Sequence, residues 1–283
     1  MIPRQLKIDF TDVPLGWAKD PVFSAFMNSS SLVPTQTEPF LNQVMVRILK
    51  GLPDGRDALK SDIAIFVKQE TNHYRLHAKF NKVFYERGYE HLRPIEAELH
   101  QDFEKILMER SLRFAAAYCA GFENLALLLC RFMFEKAIGM FDGGEPRMVA
   151  LFKWHYAEEF EHRRVAHEAF ASISGNYFVR LYGLFYSFVH LNRFSSRLFQ
   201  AVLSTDRQVL SESERLLSIR REKAFTREMA LFLLPRALKI MLPFYDPGRE
   251  RVPENVQAIL DQYERTPSLP GEESPSAQIP TGG

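Results

Sequence analysis

The sequence predicts an all-α protein, on the evidence of proline placement and apolar periodicity. Of its 16 prolines, only Pro94 and Pro146 lie between residues 54 and 234, which leaves long proline-free stretches. Proline inside a helix removes a hydrogen bond and clashes with the preceding turn, whereas it is tolerated at the first helical position. Within these stretches apolar residues recur at helical spacing, as in the stripe with Phe66, Phe80 and Phe84, and no run alternates with period two.

The predicted helices follow a loop-rich lead of residues 1–34. One helix over 94–140 would be unusually long for a globular protein, so a break is predicted near Glu109–Ser111. The tail of residues 265–283 holds four prolines and three glycines and is predicted to be disordered. The other predicted helices span residues 36–51, 56–87, 146–172, 176–203, 211–244 and 253–263.

Composition and charge exclude several classes of protein. Lys and Arg number 36 against 35 Asp and Glu, so the chain lacks the positive field that a nucleic-acid partner requires. Only Cys119 and Cys130 occur, and both are expected to be small core residues. Because the first residues also lack the apolar core of a signal peptide, a cytoplasmic protein is expected. The apolar run of residues 181–191 is too short to span a bilayer, so no transmembrane segment is predicted, and core or substrate-tunnel lining is expected there.

Two Glu-x-x-His pairs, Glu70 with His73 and Glu159 with His162, interrupt the core-facing stripes of their predicted helices. This spacing places both side chains of a pair on one helical face, where they can bind one metal ion. A buried carboxylate without a partner costs several kcal/mol, so such a group is expected to be protonated, paired or bound to metal. The stripes therefore favour metal ligation over two surface pairs.

Two further glutamates lie on apolar helical stripes. Glu123 is the only charged residue from Phe114 to Cys130, and Glu38 lies on a stripe of large apolar residues. One Glu from each of two helices, with a Glu-x-x-His from each of two others, is the ligand set of ferritin-like dimetal proteins. The six predicted metal ligands are Glu38, Glu70, His73, Glu123, Glu159 and His162.

The intervals between these residues suit a helical bundle. Glu38 and Glu70 are 32 residues apart and Glu123 and Glu159 are 36 apart, as expected for two antiparallel hairpins. The 50 residues from His73 to Glu123 allow a crossover connection between the hairpins. The predicted architecture is a single ferritin-like domain over 35–264, with a four-helix bundle core over 35–173 and additional C-terminal helices over 176–263.

Other interpretations of two of these ligands stay open. Thr35-x-x-Glu38 also fits a capping box, in which Glu38 would bind the start of its own helix. Glu123 could form a buried ion pair with Arg131 instead of binding a metal.

Further polar residues flank the motifs. His77 lies one turn after His73 and His155 one turn before Glu159, so antiparallel helices would bring both toward one end of the site. At least one of the two is expected to bind a metal or hydrogen-bond a ligand carboxylate. Candidates to hydrogen-bond the ligands are Tyr74, Tyr156 and Asn124, whereas Glu158 and Glu161 are expected to be solvated, and His91, His100 and His190 to serve packing.

These motifs together resemble a known family, the predicted metal-dependent hydrolases, over roughly residues 20–263. The resemblance rests on the Glu38 region ahead of a long helix and on KQETNHYRLH, FENLAL, WHYAEEFEHRRVAH and LLPRALKIMLPFYDPG. It implies a ferritin-like fold, and the family name implies a hydrolase without fixing the reaction. One departure is Asn124, which stands where the family pattern has His; the ligands stay intact, but the groups beside them differ.

The donor set predicts the chemistry. Four carboxylates and two imidazoles neutralise two divalent ions and suit two iron ions, with manganese as the alternative. The aromatic surround favours an O₂-dependent oxidase or oxygenase that acts on an apolar or aromatic small molecule and takes electrons from an external donor. The alternatives are a dimetal hydrolase of an ester or phosphate, and a non-catalytic iron-handling bundle. A homodimer is compatible with the sequence.

Overall fold

A computed structural model describes residues 1–265, and within them the chain forms helices joined by loops, with no β-strand. The all-α prediction is confirmed. The tail that was predicted to be disordered lies outside the described residues, apart from Arg265 at its start. The α-helices are α1 (Pro21–Ser30), α2 (Pro34–Gly51), α3 (Asp57–Phe84), α4 (Arg93–Glu109), α5 (Leu112–Glu135), α6 (Pro146–His162), α7 (Val165–Ile173), α8 (Tyr177–Asp206), α9 (Glu212–Ile240) and α10 (Glu254–Arg265).

Local capping chemistry explains several helix ends. The predicted break is confirmed, because α4 ends at Glu109 and α5 begins at Leu112. The Ser111 side chain accepts a hydrogen bond from the N–H of Phe114 at 3.2 Å and so caps α5. Beyond α3 the chain turns at Gly88, whose φ of 104° lies in the region that favours glycine.

The structure differs from the prediction in two elements, an additional helix and an interrupted one. The lead contains a helix, α1, which Asp20 caps by accepting a hydrogen bond from the N–H of Val22 at 2.8 Å. Pro21 occupies the first helical position, and an N-cap residue followed by proline is a sequence signal for the start of a helix. The many turn residues nearby obscured that signal. The helix predicted over 146–172 is interrupted at Arg163 and Arg164 and forms α6 and α7.

Four helices surround the polar part of the interior. α2 packs against α3 and α5, and α6 packs against the same two helices. Glu70 contacts His162, whereas His77, two turns further along α3, contacts His155. The order along α6 is reversed relative to α3, so these two helices run antiparallel, as the sequence predicted.

An outer layer of helices covers this arrangement. α8 packs closely along α5, where Gly183 lies against the backbone of Ala117. A Cβ atom at position 183 would stand 2.4 Å from the Ala117 carbonyl, so only glycine permits this approach. α4 packs on α2 and α8, α9 packs on α5 and α1, and α10 packs on α6.

The apolar helices differ in how deeply they are buried. α5 is the one helix among residues 1–265 that is long and apolar enough to cross a membrane, with a mean hydropathy of 1.3 over its most apolar stretch. Of that stretch, 67% is buried inside the protein, as expected of a core helix. Cys119 and Cys130 are both buried in α5 and free. α8 was expected to line the core or a tunnel, but only one face does so, and Phe178 and Phe185 are exposed.

Candidate metal centre

A cluster of buried carboxylates and imidazoles lies between α2, α3 and α6. Each of its six side chains belongs to a residue that is at most 5% exposed. Five were predicted as ligands, and the sixth is one of the two flanking histidines. The cluster consists of Glu38 from α2, Glu70 and His73 from α3, and His155, Glu159 and His162 from α6.

Two overlapping groups of four residues place their ligand atoms within 4.8 Å of one another. The groups share His73 and Glu159. One is completed by Glu38 and His155, and the other by Glu70 and His162. Two neighbouring ions that share one carboxylate would use this arrangement fully.

A single carboxylate oxygen, Glu159 Oε1, lies at the centre of the cluster. It is 3.0 Å from His155 Nε2, 3.8 Å from His162 Nε2 and 4.0 Å from His73 Nδ1. Glu70 Oε1 lies 3.1 Å from His162 Nε2 on one side. Three imidazoles therefore direct one ring nitrogen each toward a shared carboxylate.

The opposite ring nitrogen of His73 is held by Glu158. His73 Nε2 lies 2.9 Å from Glu158 Oε2, and Arg4 donates a hydrogen bond to the other oxygen of Glu158 at 3.1 Å. The prediction that Glu158 is solvated was wrong, because its side chain is fully buried. Its neighbour Glu161 is partly buried and also accepts a hydrogen bond from Arg4, at 2.9 Å. Local periodicity carries no signal for Arg4, which reaches the site from the N-terminus.

The opposite ring nitrogen of His162 is held by Glu123, since Nδ1 lies 3.2 Å from Glu123 Oε2. The structure thus places Glu123 beside His162 rather than within either group of converging ligand atoms. The alternative ion pair with Arg131 does not form, because Arg131 binds Glu135 and Glu250. As a direct metal ligand, Glu123 stays a prediction.

His155 is held by a chain of hydrogen bonds that fixes its tautomer. Asn81 donates through Nδ2 to the Ser31 carbonyl, so its Oδ1 is the acceptor for the Ser31 hydroxyl, at 2.7 Å. Ser31 Oγ must then accept from His77 Nδ1, also at 2.7 Å. His77 Nε2 is therefore unprotonated and accepts from His155 Nδ1 at 2.7 Å. His155 Nδ1 is thus used as a donor to His77, and Nε2, which faces Glu159, is the ring nitrogen left for a metal to bind.

The flanking histidines thus take different positions. His155 lies 3.5 Å from Glu38 Oε1 and 3.0 Å from Glu159 Oε1, whereas His77 lies behind it. The capping-box interpretation of Glu38 does not hold, because α2 begins at Pro34 and the Thr35 hydroxyl donates to the carbonyl of Leu32.

The other candidate neighbours do not hydrogen-bond the cluster within residues 1–265. Asn124 donates to the carbonyl of Ala120 in its own helix, at 2.7 Å. The Tyr156 hydroxyl points toward Met27 Sδ at 3.9 Å. Tyr74 is only half-buried. The packing expected of His190 is observed, with its Nδ1 2.8 Å from the Tyr118 hydroxyl.

The pKa shifts in the cluster are those expected of crowded, buried carboxylates. Burial, reinforced by the Glu159 carboxylate, raises the pKa of Glu38 well above its ordinary value. Burial and the neighbouring carboxylates do the same to the pKa of Glu70. Burial acts to lower the pKa of His162, but Glu159 and Glu123 outweigh it and raise that pKa to about 9. Burial lowers the pKa of His73, so this imidazole is neutral.

Several buried polar atoms of the cluster and of Glu123 have no hydrogen-bond partner within residues 1–265. A buried unsatisfied polar atom is costly and calls for an explanation such as an ion. Bound cations would satisfy these atoms and neutralise the carboxylates, so the residues fit a metal site. The unpartnered atoms are Glu38 Oε2, Glu70 Oε1, His73 Nδ1, Glu123 Oε1 and His162 Nε2.

Comparison with known proteins agrees with a metal centre. A family model described as "Predicted metal-dependent hydrolase" matches residues 2–251, nearly the whole chain. No curated protein and no solved structure matches. The resemblance inferred from the sequence motifs is confirmed.

The same finding corrects the predicted function. The expectation of a di-iron oxidase or oxygenase is contradicted, because the family points to the alternative, a metal-dependent hydrolase. The aromatic stripes that favoured oxygenation are packing residues: Phe66 lies edge-on to His162 and Phe80 packs against Phe84, and none of these side chains is exposed. Such a stripe indicates a tightly packed core and carries no information about a substrate. The expected O₂ and electron donor lose their basis with that function.

Proposed function

Because the chain belongs to the family of predicted metal-dependent hydrolases, we propose that it hydrolyses a small substrate with two divalent metal ions. The proposed ligands are Glu38, Glu70, His73, His155, Glu159 and His162, held by a ferritin-like bundle of α2, α3, α5 and α6 with its additional helices.

One observation carries this proposal: every histidine of the cluster is held at the ring nitrogen that points away from it. His73 is held by Glu158, His162 by Glu123 and His155 by His77. Metal-binding histidines are almost always fixed in this way, which sets the tautomer and aims the free lone pair at the ion. Ion pairs that serve only stability have no need of three imidazoles whose remaining nitrogens converge on one carboxylate.

The side of the cluster with Glu38 and His155 is the proposed substrate side. The side chains of Glu159 and His155 are 6% and 7% exposed, whereas those of His73 and His162 are fully buried. The proposed approach of a substrate is therefore past His155 and Glu159, the most exposed of the six side chains.

When bound, divalent ions supply Lewis-acid polarisation of the substrate and a hydrolytic nucleophile at neutral pH. Glu38 is the proposed proton carrier for this reaction. It lies on the proposed substrate side, and its Oε2 has no hydrogen-bond partner within residues 1–265, so this oxygen can exchange a proton with a substrate while Oε1 faces the other ligands. Glu159 contacts all three imidazoles of the site and is proposed to orient them.

An uncharged ester is the substrate class proposed, in preference to a phosphate. Phosphate sites often have Arg or Lys side chains beside any metal ions, because these cations pair with the phosphate oxygens. Among residues 1–265, the one guanidinium hydrogen-bonded to a residue beside the cluster is that of Arg4, and Glu158 and Glu161 already bind it. A donor set of carboxylates and imidazoles suits iron, manganese or zinc, so the metal is left to analysis.

The test combines metal analysis with activity. Purified protein is expected to contain close to two metal ions per chain, and a panel of nitrophenyl esters and phosphates is assayed with protein stripped and reloaded with each candidate metal. Glu159→Gln is expected to lose metal and hydrolysis together. Glu168→Gln, a matched change at a half-buried glutamate on α7, is expected to retain both. Protein that binds stoichiometric metal and hydrolyses none of these substrates contradicts the proposed reaction, and protein that binds no metal contradicts the site.

A further inference from the structure

A large apolar surface on α8 and α9 is not used by the metal centre. Its side chains belong to residues that are 42% to 78% exposed, an unusual state for so many large apolar groups. We call this surface the α8–α9 face. It comprises Phe178, Phe185 and Phe188 of α8, Leu231, Leu234 and Leu238 of α9, and Met241, Leu242 and Phe244 directly after α9.

The two helices are tied together at the ends where these side chains lie. Arg180 of α8 donates hydrogen bonds to the carbonyls of Ile240 and Leu242, at 2.8 Å and 2.6 Å. The Tyr177 hydroxyl donates to the carbonyl of Met241 at 2.9 Å. The start of α8 is therefore fixed beside the end of α9, where the exposed side chains of both helices are concentrated.

The size of the face suits a stable protein interface. With Phe side chains contributing the most area, the nine side chains present roughly 1,000 Å² to solvent. A standard interface buries about 800 Å² on each partner, whereas isolated monomers rarely expose apolar patches of more than a few hundred Å². The face is thus large enough to bind one partner along its whole length.

The charges of the face favour a protein partner over an anionic lipid surface. Of the cations within residues 178–188 and 231–244, which carry the exposed apolar side chains, Arg180 binds backbone carbonyls, Arg236 pairs with Glu135, and Lys239 pairs with Glu250. A membrane-binding face of this kind uses free cations beside its apolar anchors to attract lipid phosphates. Here the cations within the face are already occupied by the chain itself.

We propose that the α8–α9 face is the interface of a symmetric homodimer, with the same face of a second copy as its partner. Most soluble oligomers are built on a two-fold axis, which joins identical patches and needs no second, complementary surface. An apolar face whose charges are internally neutralised meets itself without like-charge repulsion. The metal centre lies within each protomer and is complete without the partner.

Sedimentation equilibrium of the wild-type protein, over a wide range of concentrations, is the first test. A dimer is expected. The double variant Phe185→Glu, Leu238→Glu, which places carboxylates on both helices of the face, is expected to be monomeric while circular dichroism and metal content stay unchanged. Val209→Glu alters an apolar residue that is 87% exposed outside the face, and it is expected to remain dimeric.

Three results would overturn the proposal. These are a wild-type monomer at all concentrations, a dimer that persists in the folded double variant, and a monomer that sediments with phosphatidylglycerol vesicles through this face. If the double variant does not fold, the milder pair Phe185→Ser, Leu238→Ser is expected to weaken the dimer at least tenfold. An unchanged dissociation constant in that pair would likewise contradict it.

Discussion

His77→Phe tests whether the hydrogen-bond chain behind His155 prepares it to bind metal. His77 Nε2 is 2.7 Å from His155 Nδ1, and no other group holds that nitrogen within residues 1–265. Phe fills a similar volume but accepts no hydrogen bond. His155 is then free to rotate or to carry its proton on Nε2, the nitrogen that faces Glu159.

The magnitude follows from two effects. Loss of a group that orients a metal-binding histidine commonly weakens metal affinity by about 10–100-fold, or about 1.4–2.7 kcal/mol. In the metal-free protein the buried N–H of His155 loses its acceptor, which costs about 1–3 kcal/mol of folding stability. The variant is therefore expected to be less stable without metal and to bind metal more weakly.

The assay is competition for metal against a fluorescent chelator, with thermal unfolding measured on stripped and loaded protein. Ser31→Ala removes only the outer acceptor of the chain and is expected to have a smaller effect in the same direction. His91→Phe is the matched control, because His91 is exposed and its hydrogen-bond partners within residues 1–265 are a turn carbonyl and Thr205. If His77→Phe and His91→Phe bind metal equally tightly, the orienting role of His77 is refuted.

Three further outcomes are expected. Glu158→Ala removes the partner of a buried ring nitrogen of His73 and one of the carboxylates that bind Arg4, so metal affinity should fall about tenfold or more, as read by the same competition assay. Metal binding should release protons and strengthen as pH rises from 6 to 8, because burial raises the pKa of Glu70 well above its ordinary value and neighbouring carboxylates raise that of His162 to about 9, and a metal must displace those protons. Calorimetry in buffers of different ionisation enthalpy counts these protons, and pH-independent affinity would contradict their displacement. Gly183→Ala should destabilise the fold by about 1–3 kcal/mol or more, since its Cβ meets backbone at 2.4 Å, whereas Gly51→Ala, with open space around it, should be near neutral in urea unfolding.

Sequence periodicity accounts for most of the helices and for which residues lie at the candidate site. Helical spacing determines which residues share a face, and that information is local to each helix. It was sufficient to place Glu70 with His73 and Glu159 with His162, and to predict that α3 and α6 run antiparallel. The short helix α1 was missed because its sequence signal, an N-cap residue followed by proline, lies among other prolines and is weak evidence for a helix.

The tertiary structure decided what each side chain does within the site. Which nitrogen of His73 or His162 faces the cluster depends on carboxylates, Glu158 and Glu123, that lie on other faces or other helices. Arg4 reaches its partner across 154 residues of chain, a distance over which no periodic pattern acts.

The sequence by itself determined that buried carboxylates and imidazoles must converge inside a helical protein, because apolar stripes leave a charged group there no access to water. Only the tertiary structure decided that Glu123 holds His162, that Glu158 is buried, and that one face of α8 stays open. Those outcomes depend on the packing of helices that are distant in the chain. A single segment determines which of its residues share a helical face, but it does not determine the distance to another helix or the rotamer that a side chain adopts there.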